Sequence, residues 1–370
     1  MGVRVPDNIA ALTPYPPGKP LEELEREYGI TDSIKLASNE NPLGTSPLAL
    51  QAIRKHMNNL HRYPDGSGYY LRQRLSQRLA VEYSAIVLGN GSNEIIDLVI
   101  RTFVQSGDEV LMSEPTFLVY PLMVQAVGGR AVKVSQKAFA HDLEAMADAI
   151  TSHTRVVFLD NPNNPSGSVI SRSEFEAFRA KVPDDIIIVL DEAYMEFADP
   201  KLTLTGLEYV NSAPPVVCLR TFSKAYGLAG LRIGYGVMDP ELADYLNRVR
   251  QPFNVNSLAQ VGALAALDDK AFLQKTQKAV RQGLAFLYGE LEKLQLRVHP
   301  TQTNFFLIDV GYDSRVVYEA MLRSGVIVRA MHSYGLPNYI RISVGRAEEN
   351  QRFIETLKEV LQKLQSRNES

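Results

Sequence analysis

The feature that most constrains this chain is a series of short apolar runs, each closed by a polar or glycine-rich exit and separated from the next by a helical pattern. The run Ile186-Ile187-Ile188-Val189-Leu190 ends at Asp191-Glu192. Unbroken aliphatic residues, mostly β-branched, fit a strand buried on both faces, because a strand with one wet face alternates. Comparable runs occupy 86–88, 109–112, 131–134, 156–160, 216–220 and 232–237. Strands joined by helices pair in parallel, since each helix carries the chain back across a sheet face. The expected fold is α/β, with a large domain built on a seven-stranded, mostly parallel sheet flanked by helices.

Ahead of this pattern Pro6, Pro14, Pro16, Pro17 and Pro20, with Tyr15 and Gly18, read as an extended N-terminal arm that does not fold alone. Ser46 as N-cap and Pro47 at the first helical position open the domain proper. Beyond about residue 260 the strands become sparse, at 303–310, 326–329 and 339–344, and Phe353, Ile354, Leu357, Val360, Leu361 and Leu364 recur at helical spacing. The expected organisation is an arm and part of the small domain over 1–45, a large domain over 46–260 and a smaller α+β domain over 261–370. A cleft between large and small domains is the default place for a site.

Composition excludes several function classes. With 39 basic and 42 acidic residues the net charge is -3, which gives no positive field for nucleic acid or anionic membrane. The single cysteine, Cys218, sits in the apolar run Val216-Val217-Cys218-Leu219 and reads as core, which fits a reducing, cytoplasmic setting. No window reaches the roughly 18 to 20 apolar residues of a membrane span, and the N-terminus has no apolar stretch of signal length. The 6 histidines form no HExxH and no pair at ligand spacing, so no metal site is expected. There is no Gly-x-Ser-x-Gly elbow.

Chemistry-bearing residues gather instead at strand exits, where open α/β sheets build their sites. Gly89-Asn90-Gly91-Ser92-Asn93-Glu94 leads into a helix over 93–103. Its free N–H groups either hold an anion or are capped by Ser92 or Asn93. Asp191, at the exit of a buried strand, either needs a cation or caps the next turn. Between Thr221 and Gly234, Ser223-Lys224 precedes Arg232 amid glycines. A lone lysine there reads equally as a solvated side chain. Taken together, an anion-binding helix start, a buried carboxylate and a lysine near an arginine meet the demands of pyridoxal phosphate, which needs a phosphate cradle, a partner for its ring nitrogen and an amine.

Leu36-Ala37-Ser38-Asn39-Glu40-Asn41-Pro42-Leu43-Gly44, Asn163-Asn164-Pro165-Ser166-Gly167, Asp191-Glu192-Ala193-Tyr194 and the segment from Ser223-Lys224 to Arg232 stand in the order of a known family. The chain resembles the fold-type-I aminotransferases and, within them, the histidinol-phosphate aminotransferase family. The likeness runs from Leu12-Thr13-Pro14-Tyr15 to Tyr339-Ile340-Arg341-Ile342-Ser343-Val344-Gly345. Ser166 stands where the family more often has threonine, and Phe117 where it often has tyrosine.

The resemblance implies a role for each residue. Lys224 carries the Schiff base and moves the Cα proton, and Asp191 keeps the ring nitrogen protonated. Tyr194 and Asn164 bond the phenolate oxygen, and Phe117 stacks on the ring. The phosphate falls to Ser92, Asn93, Ser223 and Arg232, with help from Thr221. Tyr63 reaches the cofactor of a second subunit in a homodimer. Tyr15, Asn39, Arg329 and Arg341 take the substrate. The implied reaction is ping-pong transamination from L-histidinol phosphate to 2-oxoglutarate, in histidine biosynthesis. Alternatives are an aromatic amino-acid aminotransferase, a threonine-phosphate decarboxylase and a cofactor-sensing transcription regulator. The last needs a DNA-binding module, and the stretch ahead of Ser46 has no helix-turn-helix pattern and no basic excess.

Overall fold

The structure is a computed structural model that describes residues 3–15, 18–19 and 21–368. Pro16, Pro17 and Pro20 of the expected arm lie outside the described residues. Chain contacts divide it into two compact units. The first comprises the described residues of Met1–Tyr15, Thr45–Asn164 and Ser168–Leu273, the second those of Pro16–Gly44, Pro165–Gly167 and Gln274–Ser370.

The first unit is built on a seven-stranded sheet in the order Ile86–Gly89, Gly234–Val237, Val216–Thr221, Ile187–Asp191, Thr154–Asp160, Glu109–Glu114, Arg130–Ser135. Only Gly234–Val237 runs against its neighbours. The remaining pairings are parallel. Successive residues of one strand serve opposite cores: Val156, Phe158, Ile187 and Val189 pack on one face, Val157, Leu159, Ile188 and Leu190 on the other. Burial on both faces is the physical reason these strands read as unbroken apolar runs.

The domain's opening helix, Pro47–His56, begins as its sequence dictates, with the Ser46 hydroxyl accepting from the Ala49 N–H. The N-terminal segment is less extended than expected. It carries a one-turn helix Asp7–Ala10, in which Asn8 donates its amide to the carbonyls of Gln125 and Ala126. In the second unit the helix Leu21–Tyr28 buries Leu24 against Ala37, Leu322 and Ile327. The second of these helices forms where its apolar stripe finds a partner, the first where a side-chain amide does.

The second unit holds a four-stranded antiparallel sheet in the order Arg329–Ala330, Tyr339–Ser343, Phe305–Asp309, Arg297–Val298, and the long helix Ala347–Asn368. Ile34–Lys35 pairs in parallel with Val326–Ile327. No helix among the described residues is long and apolar enough to cross a membrane.

Candidate active site

The parallel strands of the first unit end at one edge of the sheet, and the register aligns their last residues. Asp160 stands opposite Asp191, and Gly234 lies between Gly89 and Thr221. Such an edge collects the loops that follow each strand.

The helix Ser92–Phe103 starts at this edge, one residue earlier than the sequence suggested. Gly91 (φ 72°, ψ 174°) occupies the cap position, and no side chain caps the helix. Of the two readings of this turn, capping by Ser92 or Asn93 is not found, because both lie within the helix, while Glu94 turns back to accept from the Asn90 N–H at 2.6 Å and from Asn254 Nδ2 at 2.8 Å. The first-turn N–H groups therefore face outward without a local acceptor. Arg232, itself left-handed at φ 55°, lies against this turn. A Cβ placed on Gly91 would come within 3.0 Å of Arg232 Nη2. A Cβ on Gly234 would come within 2.5 Å of the Ser92 N atom. Two glycines and a guanidinium leave a small cationic cradle at a helix start, which suits a phosphate. Arg232 Nη1 donates to the Ala229 carbonyl at 2.9 Å, which orients its fork.

Beside the cradle, the Thr221 hydroxyl accepts from the Ser223 N–H at 3.1 Å, bending the chain sharply out of its strand. Ser223 is buried and Lys224 half-buried. The turn brings Lys224 Nζ to 5.5 Å from the centre of the Tyr194 ring. Thr221 thus spends its hydroxyl on shaping the turn.

The adjacent carboxylates of Asp191 and Glu192 have opposite environments. Glu192 points back into the protein and is met by Arg220, whose Nε donates at 2.6 Å. Asp191 receives neutral donors only, the Tyr120 hydroxyl at 2.8 Å and the Ala193 N–H at 3.2 Å. Among the described residues no cation pairs with it. Burial, with the neighbouring charge of Asp160 adding to it, pushes its carboxyl up to about 7. A buried carboxylate in this state calls for a cationic partner. Asp160 is better satisfied, accepting from the Asn164 N–H at 2.8 Å and Asn163 Nδ2 at 2.9 Å, yet burial pushes it up to about 6. It thereby fixes the loop that carries Asn164. Behind it sits His141, with Nε2 3.0 Å from the Asp160 carbonyl, and burial holds this imidazole below its ordinary value and hence neutral.

Phe117 is edge-on to Tyr15 at 6.5 Å and to Tyr120 at 5.6 Å. Tyr63 is 83% exposed and stacks on Phe253 at 5.0 Å. Exposed Met57, Leu60 and Tyr70 belong to the same stretch of chain.

In the second unit, Arg329 stands directly opposite Arg341 on neighbouring strands, so both side chains leave the same face of the sheet. Arg341 is buried, donates to the Ala37 carbonyl at 3.2 Å and lies 5.0 Å over the Phe305 ring. Arg329 lines a cavity of about 300 Å³ with Lys19, Ala37, Tyr318 and His332. Asn39 is held at φ 55° by bonds to Ser343, its N–H donating to Oγ at 2.7 Å. Sequence reasoning missed Tyr120, Asp160 and His141.

A family model described as "Aminotransferase class I and II" matches residues 31–357. The chain belongs to that family. This aminotransferase is 49% identical to a curated relative from Desulfotalea psychrophila named histidinol-phosphate aminotransferase, over 97% of this chain and 96% of the relative. It is also 49% identical to histidinol-phosphate aminotransferase 2 of Pseudomonas aeruginosa, over 95% of this chain and 96% of that protein. The solved structure of histidinol-phosphate aminotransferase from Sinorhizobium meliloti, in complex with pyridoxal-5'-phosphate, matches with a TM-score of 0.91 at 29% identity, covering 98% of this chain and 99% of that one. The seven-stranded, mostly parallel α/β sheet expected from the alternation of strands and helices, and the aminotransferase fold that the resemblance implied, are therefore both found.

Proposed function

We propose that this aminotransferase uses pyridoxal phosphate to move the amino group of L-histidinol phosphate to 2-oxoglutarate in a ping-pong cycle. The observation that carries the substrate is the near-half identity, over almost the whole length, with relatives named for histidinol phosphate. The observation that favours the cofactor is the pairing of a cationic, uncapped helix start with a buried carboxylate bonded only by neutral donors.

The bound cofactor would supply an electron-accepting ring to which the donor's nitrogen is joined. In this reading Ser92, Asn93, Ser223 and Arg232 hold its phosphate, and Thr221 keeps Ser223 in place. Asp191 keeps a proton on the ring nitrogen. Tyr194 and Asn164 donate to the phenolate oxygen, and Phe117 covers the ring. Lys224 would be the attachment point, and its amine would carry the proton from the donor Cα to the cofactor carbon that bears the transferred nitrogen. Arg329 and Arg341 bind the anionic group of each substrate, with Asn39 and Tyr15 as further donors. The active unit would be a homodimer in which Tyr63 serves the second subunit's site, and the exposed apolar residues around Tyr63 favour such burial.

A half-reaction assay tests the assignment. The pyridoxal form is mixed separately with histidinol phosphate, phenylalanine and threonine phosphate, and the cofactor absorbance is followed. Histidinol phosphate should convert it fastest. A higher kcat/KM for phenylalanine would move the assignment to an aromatic amino-acid aminotransferase, and loss of CO2 from threonine phosphate to a decarboxylase.

A further inference from the structure

Tyr120 is fully buried on the helix Val119–Ala126, far from Asp191 in sequence. Its ring is stacked on Phe158 at 4.4 Å and 15°, and Phe117 meets it edge-on at 5.6 Å. Its hydroxyl donates to Asp191 Oδ2 at 2.8 Å. One side chain therefore touches both the carboxylate assigned to the ring nitrogen and the aromatic ring assigned to cover the cofactor.

We propose that Tyr120 is a positioning residue for transamination: its hydroxyl holds the Asp191 carboxylate in the orientation that receives a protonated ring nitrogen, while leaving that carboxylate its charge. The inference rests on the role given to Asp191 above. A neutral donor is what this position requires. A lysine or arginine would satisfy the carboxylate by itself, as Arg220 does for Glu192, and remove its demand for a cation on the cofactor. An apolar residue would leave Oδ2 without a donor, beside the like charges of Asp160 and Glu192, and favour protonation of the carboxyl. Stacking on Phe158 fixes the ring, so the position of the hydroxyl is set by packing. The groups acting on Asp191 are Tyr120 from its helix, Asp160 from the adjacent strand, and the Ala193 N–H and the charge of Glu192 from its own segment, while Tyr194 acts on Tyr120. Burial raises the Tyr120 phenol well above its ordinary value, so it remains a donor throughout the working range.

Tyr120→Phe keeps the stacked ring and removes only the donor. The test compares the parent, Tyr120→Phe, Asp191→Asn and the double variant. Each full-length protein is freed of cofactor and titrated with pyridoxal phosphate by absorbance, and then single-turnover rates with the amino donor are measured. Tyr120→Phe should raise the dissociation constant about tenfold, as expected for one hydrogen bond to a charged group. Asp191→Asn should raise it further, and the double variant should be no worse than Asp191→Asn alone, in affinity and in rate. Losses that add in the double variant, or an affinity within twofold of the parent for Tyr120→Phe, would overturn the positioning role and leave Asp191's role standing. Asp191→Asn within twofold in affinity and tenfold in rate would overturn both.

Discussion

Raising the pH of the cofactor-free protein should destabilise it relative to an Asp191→Asn variant. Burial pushes the Asp191 carboxyl from 3.8 up to about 7. Between those values the folded chain keeps a proton that the unfolded chain has released. The folded state then binds more protons than the unfolded one, so stability falls as pH rises through this window and the penalty is constant above it. A shift of roughly three units corresponds to at most about 4 kcal/mol. For a unit of this size that is up to about 8 °C in melting temperature, at roughly 2 °C per kcal/mol. Asp160 and Glu196, both raised by burial, give slopes of the same sign, and His141, lowered by burial, gives the opposite slope. All three remain in the variant, so the parent-minus-variant difference isolates Asp191, apart from relief of its repulsion on Asp160. The assay is thermal unfolding of both cofactor-free proteins at intervals from pH 5 to 8 and constant ionic strength. The difference should move against the parent as pH rises, and pyridoxal phosphate should shrink it by pairing Asp191. A difference that stays flat, or moves in the parent's favour, would refute the claim that Asp191 is buried without a cation.

Lys224→Ala should abolish turnover while the protein still folds, and borohydride should no longer fix the cofactor to the chain; fixation in the variant would assign the link to another lysine. Gly234→Ala should drive its Cβ into the Ser92 N, Gly91 C and Arg220 O atoms, at 2.5, 2.6 and 2.9 Å, and cost about 1–3 kcal/mol in stability together with cofactor affinity. Gly230→Ala, where nothing lies within 4 Å, should leave both unchanged, and equal effects in calorimetry and absorbance titration would refute the cradle. Arg341→Gln should damage kcat/KM with both histidinol phosphate and phenylalanine, whereas Tyr15→Phe should cost about 1 kcal/mol more with the phosphate donor; equal losses would remove Tyr15 from phosphate recognition.

Legibility in the sequence followed burial. The parallel strands were visible because sheets covered on both faces leave no polar alternation, and Asp191 and Lys224 were visible because they interrupt that apolarity at strand exits. The helix start at Gly91 was misjudged by one residue. Serine and asparagine are the usual caps, and only the fold shows that Gly91 takes the cap conformation while Glu94 is drawn back to Asn90 and Asn254. Tyr120 was hidden for a different reason. It lies among Phe117, Leu118, Val119 and Leu122, where an aromatic reads as core, and its packing is indeed that of core. Its one polar atom acquires meaning from a contact across 71 positions. Asp160 did carry a signal: like Asp191 it closes an apolar run, and parallel register sets such closures side by side.

The arginines of the second unit carry a related logic that no single strand displays. Arg329 and Arg341 lie in separate short strands, and neither strand alone shows that the two meet. Antiparallel pairing sets them directly opposite. Like charges at facing positions destabilise a sheet pair, and burying Arg341 carries a desolvation cost against which the Ala37 carbonyl and the Phe305 ring are set. An anion lying against both guanidiniums would relieve the repulsion between them. Asp191 follows the same rule with the sign reversed, a carboxylate buried with neutral donors until a cation arrives. Each unit thus places charge of the sign opposite to the group assigned to it, two facing guanidiniums in one and a buried carboxylate in the other. Asp191, bonded by neutral donors, differs in this from an ion pair that serves the fold, such as Glu192 with Arg220.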